Sequence, residues 1–169
     1  RDWSSDVCSS DLDIPSFTID HERLKRGVYV SRRDLVGDQV VTTFDIRMKA
    51  PNREPVLDLS ALHTIEHLVA TYLRNDPEWG SRIIYWGPMG CLTGNYLIMV
   101  GDLNPLDIAD LLRRAFDFVA HYEGAVPGVA PRDCGNYKLH NLELAREESR
   151  RYLEEVLEHL DDSNTHYPQ

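Results

Sequence analysis

Asp58-Leu59-Ser60-Ala61-Leu62-His63-Thr64-Ile65-Glu66-His67-Leu68-Val69-Ala70-Thr71-Tyr72-Leu73-Arg74 is the stretch from which the rest of this chain is read. Leu62, Ile65, Leu68, Val69, Tyr72 and Leu73 recur at helical spacing, and Asp58 or Ser60 offers a side-chain oxygen to the first turn. A mostly buried helix is predicted. His63 and His67 stand one turn apart on one face of it, with Glu66 at the edge of that face. The order is H-x-x-E-H, the reverse of the common zinc-protease order, and two imidazoles so placed can hold one divalent metal. A single buried histidine is ordinarily a hydrogen-bonded core residue. The glutamate argues for chemistry, because an unpaired carboxylate in a core costs several kcal/mol.

The chain around this helix has 169 residues, enough for one domain with a real core, and a formal net charge of -10. That charge argues against nucleic acid or an anionic membrane surface as the main partner, since both are bound through clustered Lys and Arg. No apolar run reaches the length of about 20 residues that a spanning helix needs, and no secretory signal is visible, so a soluble, cytoplasmic protein is expected. Three cysteines are too few for a disulfide scaffold. Residues 1–12 lack either periodicity and read as a foreign or disordered leader, which sets Cys8 aside.

Working along the chain, Val28–Arg32 is predicted as a short strand, 34–38 as a turn around Gly37, and Gln39–Lys49 as a longer strand. In the longer strand Val40, Thr42, Phe44, Ile46 and Met48 form one face, and the other carries Asp45 and Arg47, by itself a solvated face. Asn75-Asp76-Pro77 ends the central helix. Arg74, close to three turns after His63, shares the ligand face and reads either as a substrate clamp or as a cation meeting the helix dipole. Ser81–Trp86 and Asn95–Val100 are predicted strands. Between them Gly87, Pro88, Gly90 and Gly94 form a loop that holds Cys91 at a bend. Asn104-Pro105 opens a helix running through Tyr122 to Gly124. A Pro- and Gly-rich loop, 125–133, then delivers Cys134-Gly135-Asn136. A last helix is expected over 141–160, and 161–169 as a frayed tail.

A catalytic metal keeps three protein ligands and one open position, and two histidines plus a thiolate satisfy that pattern. Cys134 is the better third ligand, with Gly135 beside it permitting a tight backbone. Glu66 and Cys91 then remain as titratable groups near a Lewis acid, the combination needed to move protons beside a polarised carbonyl. Three other readings fit parts of the pattern: an inverted-motif zinc metallopeptidase, which calls for a downstream glutamate ligand; a structural zinc site closed by His63, His67, Cys134 and Cys91; and a non-catalytic dimerisation module, which leaves Glu66 unexplained.

Five ordered motifs carry a resemblance. Ser16-Phe17 through Asp20-His21, Phe44-Asp45-Ile46-Arg47, His63-Thr64-Ile65-Glu66-His67-Leu68, Pro88-Met89-Gly90-Cys91 with Thr93-Gly94, and Cys134-Gly135 with Lys138-Leu139-His140 resemble, in that order, the S-ribosylhomocysteine lyase (LuxS) family over about residues 16–160. The resemblance implies one compact α+β domain over 13–160, helices against an antiparallel sheet of the LuxS/MPP-like metallohydrolase type, assembled as a homodimer with active sites at the interface. It implies one metal per subunit, Fe(II) natively with Zn or Co as substitutes, on His63, His67 and Cys134. It makes Glu66 and Cys91 the general acid/base pair and Ser16, His21, Arg47 and Arg74 substrate contacts. The implied reaction cleaves the thioether of S-ribosylhomocysteine, a small-molecule substrate, to homocysteine and 4,5-dihydroxypentane-2,3-dione, the autoinducer-2 precursor of quorum sensing. One departure stands out: many members have Asp-Ile-Ser where this chain has Tyr85-Trp86-Gly87, which bears on how the amino-acid end of the substrate is held.

Overall fold

The computed structural model describes residues 18–168. The expected leader, Cys8 and Ser16 lie outside the described residues.

Two hairpins make the sheet. β1 (Gly27–Val36) and β2 (Gln39–Arg47) form the first, β3 (Ile83–Pro88) and β4 (Gly94–Val100) the second, and they join side by side in the order β1-β2-β4-β3, every neighbour antiparallel. Between the hairpins runs α1 (Leu59–Asn75); α2 (Ala109–Ala120), α3 (Leu142–Glu155) and a one-turn helix α4 (Asp162–Thr165) follow. The whole is a single α+β domain. No helix among the described residues is long and apolar enough to cross a membrane.

α1 begins where its sequence says it should. The Asp58 carboxylate accepts from the backbone N–H groups of Ser60 and Ala61, giving two first-turn donors a partner. Its apolar stripe, Leu62, Ile65, Leu68, Val69 and Leu73, is buried against Phe44, Ile46, Leu97 and Met99 of the sheet and against α2 and α3. Phe116 of α2 sits at the centre, its ring edge-on to Trp86 (6.2 Å between centroids) and to Tyr152 (4.9 Å). The Tyr152 hydroxyl donates to the Gly27 carbonyl at 2.8 Å, so the one polar atom of that buried ring ties α3 to the edge strand.

Several boundaries differ from expectation for local reasons. β1 continues to Val36, and the turn narrows to Gly37-Asp38, with Gly37 at φ +64°. A bulge between Val30 and Arg32 shifts the register, and an alternation pattern cannot register the extra residue. β2 stops at Arg47 because Met48 N and Lys49 N both donate to the Thr93 carbonyl, leaving the ladder. β3 starts at Ile83, after a 3-10 turn over Gly80–Arg82. α2 ends at Ala120 rather than beyond Tyr122, after a separate 3-10 turn over Pro105–Ile108. α3 ends at Glu155, where Val156 leaves helical geometry and a 3-10 turn over Leu157–His159 follows.

Two corrections concern the outer face of the sheet. Asp45 and Arg47, read from alternation as a solvated pair, are 1% and 3% exposed. The segment expected to fray covers that face instead: α4 packs on β1, and the Tyr167 ring stacks on Tyr29 at 4.8 Å. Alternation assigns polarity to a face. It does not say what will cover it.

Phe116→Ala is expected to cost about 3–5 kcal/mol by loss of transfer energy and by the cavity left between α2, α3 and the sheet. A denaturant titration should show a lower midpoint at unchanged slope; a shift corresponding to less than about 1 kcal/mol would mean that Phe116 is not central to the core.

Candidate metal centre and active site

His63 and His67 project from α1 with their rings perpendicular, 4.7 Å between centroids. Each is held by a backbone carbonyl: Nδ1 of His63 lies 2.8 Å from Leu139 O, and Nδ1 of His67 lies 2.7 Å from Pro127 O. A carbonyl only accepts, so both Nδ1 atoms carry the proton and both Nε2 atoms present a lone pair. The loop that brings Pro127 to this position turns at Gly128 (φ +74°), where a Cβ would stand 3.2 Å from His67 Nδ1.

Cys134 Sγ is 3.4 Å from His63 Nε2 and accepts a backbone N–H from Asn136 at 3.4 Å. Sulfur and nitrogen bound to one tetrahedral ion stand about 3.6 Å apart when the bonds are about 2.3 and 2.1 Å, so this separation suits a shared metal. The chain thus brings the three expected ligands together. It adds a fourth donor, His140, whose ring stacks on His63 at 4.1 Å; the four donor atoms lie within 4.8 Å of one another.

The tautomer of His140 follows from Thr64. That hydroxyl spends its hydrogen on Ser60 O (2.8 Å), so at 3.2 Å from His140 Nδ1 it can only accept, and it accepts Asn141 N as well. Nε2 therefore carries a lone pair, and it is buried with no partner among the described residues. Burial first, then the neighbouring His63 and His67, push His140 down to about 4, which keeps the ring neutral at neutral pH. A buried lone pair aimed among three other donors fits a metal ion. Sequence reading had quoted His140 without a role; a donor residue shortly after Cys134 was the signal available.

Glu66 is half-buried and lines an open groove of about 450 Å³ together with His63, Met89, Gly90, Asn136 and Leu139. Cys91 is exposed at the tip of the loop between β3 and β4. Leu92, at φ +61°, turns that loop sharply, and the backbone is pinned by Leu92 N to Met89 O and by Leu57 N to Leu92 O. Strain of about 1–3 kcal/mol in such a residue persists only where surrounding bonds impose it. A Cβ at Gly94 would collide with the Ile46 carbonyl, which is how this loop lies close against β2.

Cys91 Sγ lies 3.0 Å from Thr93 Oγ1 and 3.9 Å from Arg47 Nη1. It is outside the four-donor cluster, whose further member among the described residues is His140. Arg47 forms a two-point ion pair with Asp45, Nε to Oδ1 at 3.0 Å and Nη2 to Oδ2 at 2.5 Å. Burial pushes the Asp45 carboxyl up from its ordinary value, and the Arg47 guanidinium pulls it back. His21 is half-buried, its ring Nδ1 2.8 Å from the Ile19 carbonyl. Arg74 is exposed and donates to Ile84 O at 3.1 Å, tied to β3 rather than gathered with the donors. In the departing Tyr85-Trp86-Gly87, Trp86 belongs to the core while Tyr85 is 47% exposed.

The family model described as S-Ribosylhomocysteinase (LuxS) matches residues 14–163. A protein named S-ribosylhomocysteine lyase from Phocaeicola vulgatus is 66% identical over 155 residues, spanning 92% of this chain and 96% of that protein. Proteins of the same name from Porphyromonas gingivalis (strain W83) and Desulfotalea psychrophila are 61% and 52% identical, each over 92% of this chain and 98% of their own length.

Cys134→Ala and His67→Ala should each lose most of the bound metal, and Cys91→Ala should retain it. Metal quantified per chain after anaerobic purification checks this; metal lost with Cys91→Ala would return that sulfur to the ligand set.

Proposed function

This chain belongs to the S-ribosylhomocysteinase (LuxS) family, and from that premise we propose that it cleaves the thioether of S-ribosylhomocysteine to homocysteine and 4,5-dihydroxypentane-2,3-dione, the precursor of autoinducer-2. The observation that supports this most strongly is the convergence of the His63, His67 and Cys134 donor atoms beside a groove that carries Glu66. A divalent metal held by those three residues, with Fe(II) favoured and Zn or Co as substitutes, would polarise a carbonyl oxygen and offset the negative charge developing on it. His140 stands at the same place as a further donor.

The work of the remaining residues follows from their positions. The ring-opened sugar lies in the groove, and Glu66 and Cys91 exchange protons with its carbon and oxygen atoms, so that the carbonyl migrates along the chain. Removal of the proton beside the migrated carbonyl then expels the homocysteine thiolate from the next carbon, a β-elimination. Ser16, His21, Arg47 and Arg74 are assigned as substrate contacts. Nε and Nη2 of Arg47 are occupied by Asp45 and Nη1 donates to Thr93 Oγ1, so the second Nη1 hydrogen, on the side of Cys91, is the part left to face the substrate. The metallopeptidase alternative is not favoured, because the donor cluster holds a cysteine and histidines and no carboxylate.

We infer further that the enzyme is a cytoplasmic homodimer with its sites at the interface. Exposed apolar side chains on the sheet support this: Leu35 and Val36 on β1 are 75% and 62% exposed, and Ile84 and Tyr85 on β3 are 44% and 47%. A second subunit across the sheet would cover them.

Glu66→Gln should keep its metal while turnover falls by about 10²–10⁴-fold, the usual contribution of a general acid/base group. Anaerobic incubation with S-ribosylhomocysteine, followed by a thiol assay for homocysteine, reads the outcome. Full activity in this variant would remove Glu66 from the mechanism, and no thiol release from the unaltered protein would remove the reaction.

A further inference from the structure

We propose that Tyr167, near the end of the chain, is a positioning residue that orients the Cys91 thiol through a buried row of hydrogen bonds. The catalytic role of Cys91 rests on the function proposed above; the row itself does not. Each step but the last has one allowed direction. The Tyr167 hydroxyl donates to Asp45 Oδ2 at 2.8 Å. Asp45 accepts Nε and Nη2 of Arg47, which leaves Nη1 to donate to Thr93 Oγ1 at 2.6 Å. A guanidinium cannot accept, so the Thr93 hydroxyl accepts there, and its oxygen stands 3.0 Å from Cys91 Sγ, a pair in which either atom can donate. The row ends at the Cys91 sulfur, which Arg47 Nη1 also approaches directly at 3.9 Å.

Burial makes the row stiff. Asp45, Arg47 and Thr93 are 1%, 3% and 5% exposed, and a guanidinium held at two points on a carboxylate has little freedom to swing. Tyr167 donates to Asp45 from outside the sheet. Tyr29, directly opposite Asp45 in the β1–β2 register, spends its hydroxyl on Lys25 O. The tail is built to deliver Tyr167: Asp161 caps α4 by accepting Ser163 N at 2.7 Å, Thr165 Oγ1 donates to Asp161 O at 2.7 Å, and a Cβ at Gly27 of β1 would collide with the Asn164 carbonyl. The residue after α4 and its cap therefore lands flat on Tyr29, with its hydroxyl on the carboxylate.

Tyr167→Phe tests this, since it keeps the stacked ring and removes the hydroxyl. Alkylation by iodoacetamide at pH 7, read on the peptide carrying Cys91 in the metal-loaded protein, should slow by about fivefold, the scale of one weakened hydrogen bond to a charged group. Thr93→Val should slow it by a similar factor, and adding Tyr167→Phe to Thr93→Val should change the rate much less than Tyr167→Phe does alone, because only the 3.9 Å contact of Arg47 Nη1 with the sulfur then remains. The proposal is overturned if Tyr167→Phe alkylates at the unaltered rate, or if its effect persists in full on the Thr93→Val background. Failure of homocysteine release with the alkylation pattern intact would sink the proposed function and leave the row standing.

Discussion

Two backbone carbonyls, those of Pro127 and Leu139, are the constraint on which this site depends. By taking the Nδ1 protons of His67 and His63 they fix both tautomers and both ring orientations, and so aim two Nε2 lone pairs at one point. Neither carbonyl belongs to a helix or strand. They come from the long segment between α2 and α3, which also supplies Cys134 and His140. The segment is threaded past α1 by a left-handed turn at Gly128 and by the backbone N–H of Asn141, shared between Ser60 O and Thr64 Oγ1. The rigid helix provides spacing; the irregular segment provides aim.

The second polar centre is on the opposite face of the sheet and obeys a different economy. A buried ion pair gains little net stability, because desolvating both charges offsets their attraction. Asp45 and Arg47 are kept together by satisfying nearly every remaining donor and acceptor, through Tyr167 on one side and Thr93 on the other. What such a pair contributes is geometry. It holds one edge of a guanidinium toward the loop of Cys91, and that loop is itself held in a strained turn at Leu92 by β2 and by Leu57. The donor cluster and the Cys91 loop are thus supported from different layers of the fold, the helices on one side of the sheet and the C-terminal tail on the other.

Much of this was legible in advance. The 3.6-residue stripe of α1, its Asp58 cap, the paired histidines and the alternation of β2 depend on neighbours close in sequence, and these were read correctly. Cys134 was identified because a metal site lacking a third ligand narrows the choice. The misreadings share one cause. The solvated face assigned to Asp45 and Arg47, the frayed tail, and the missing role of His140 each turned on a partner more than seventy positions away, and no local period encodes such a partner.

By itself, then, the sequence determined the elements, the helix that carries the histidines, and the chemical class of the donors, because periodicity, capping and side-chain type are local properties. Only the tertiary structure decided that a third imidazole joins the cluster as its fourth donor, that the Asp45–Arg47 pair is sealed from water, and that Tyr167 reaches the Asp45 carboxylate. Those are consequences of packing, where burial gives a distant hydrogen bond the strength to orient a side chain that water would otherwise leave free.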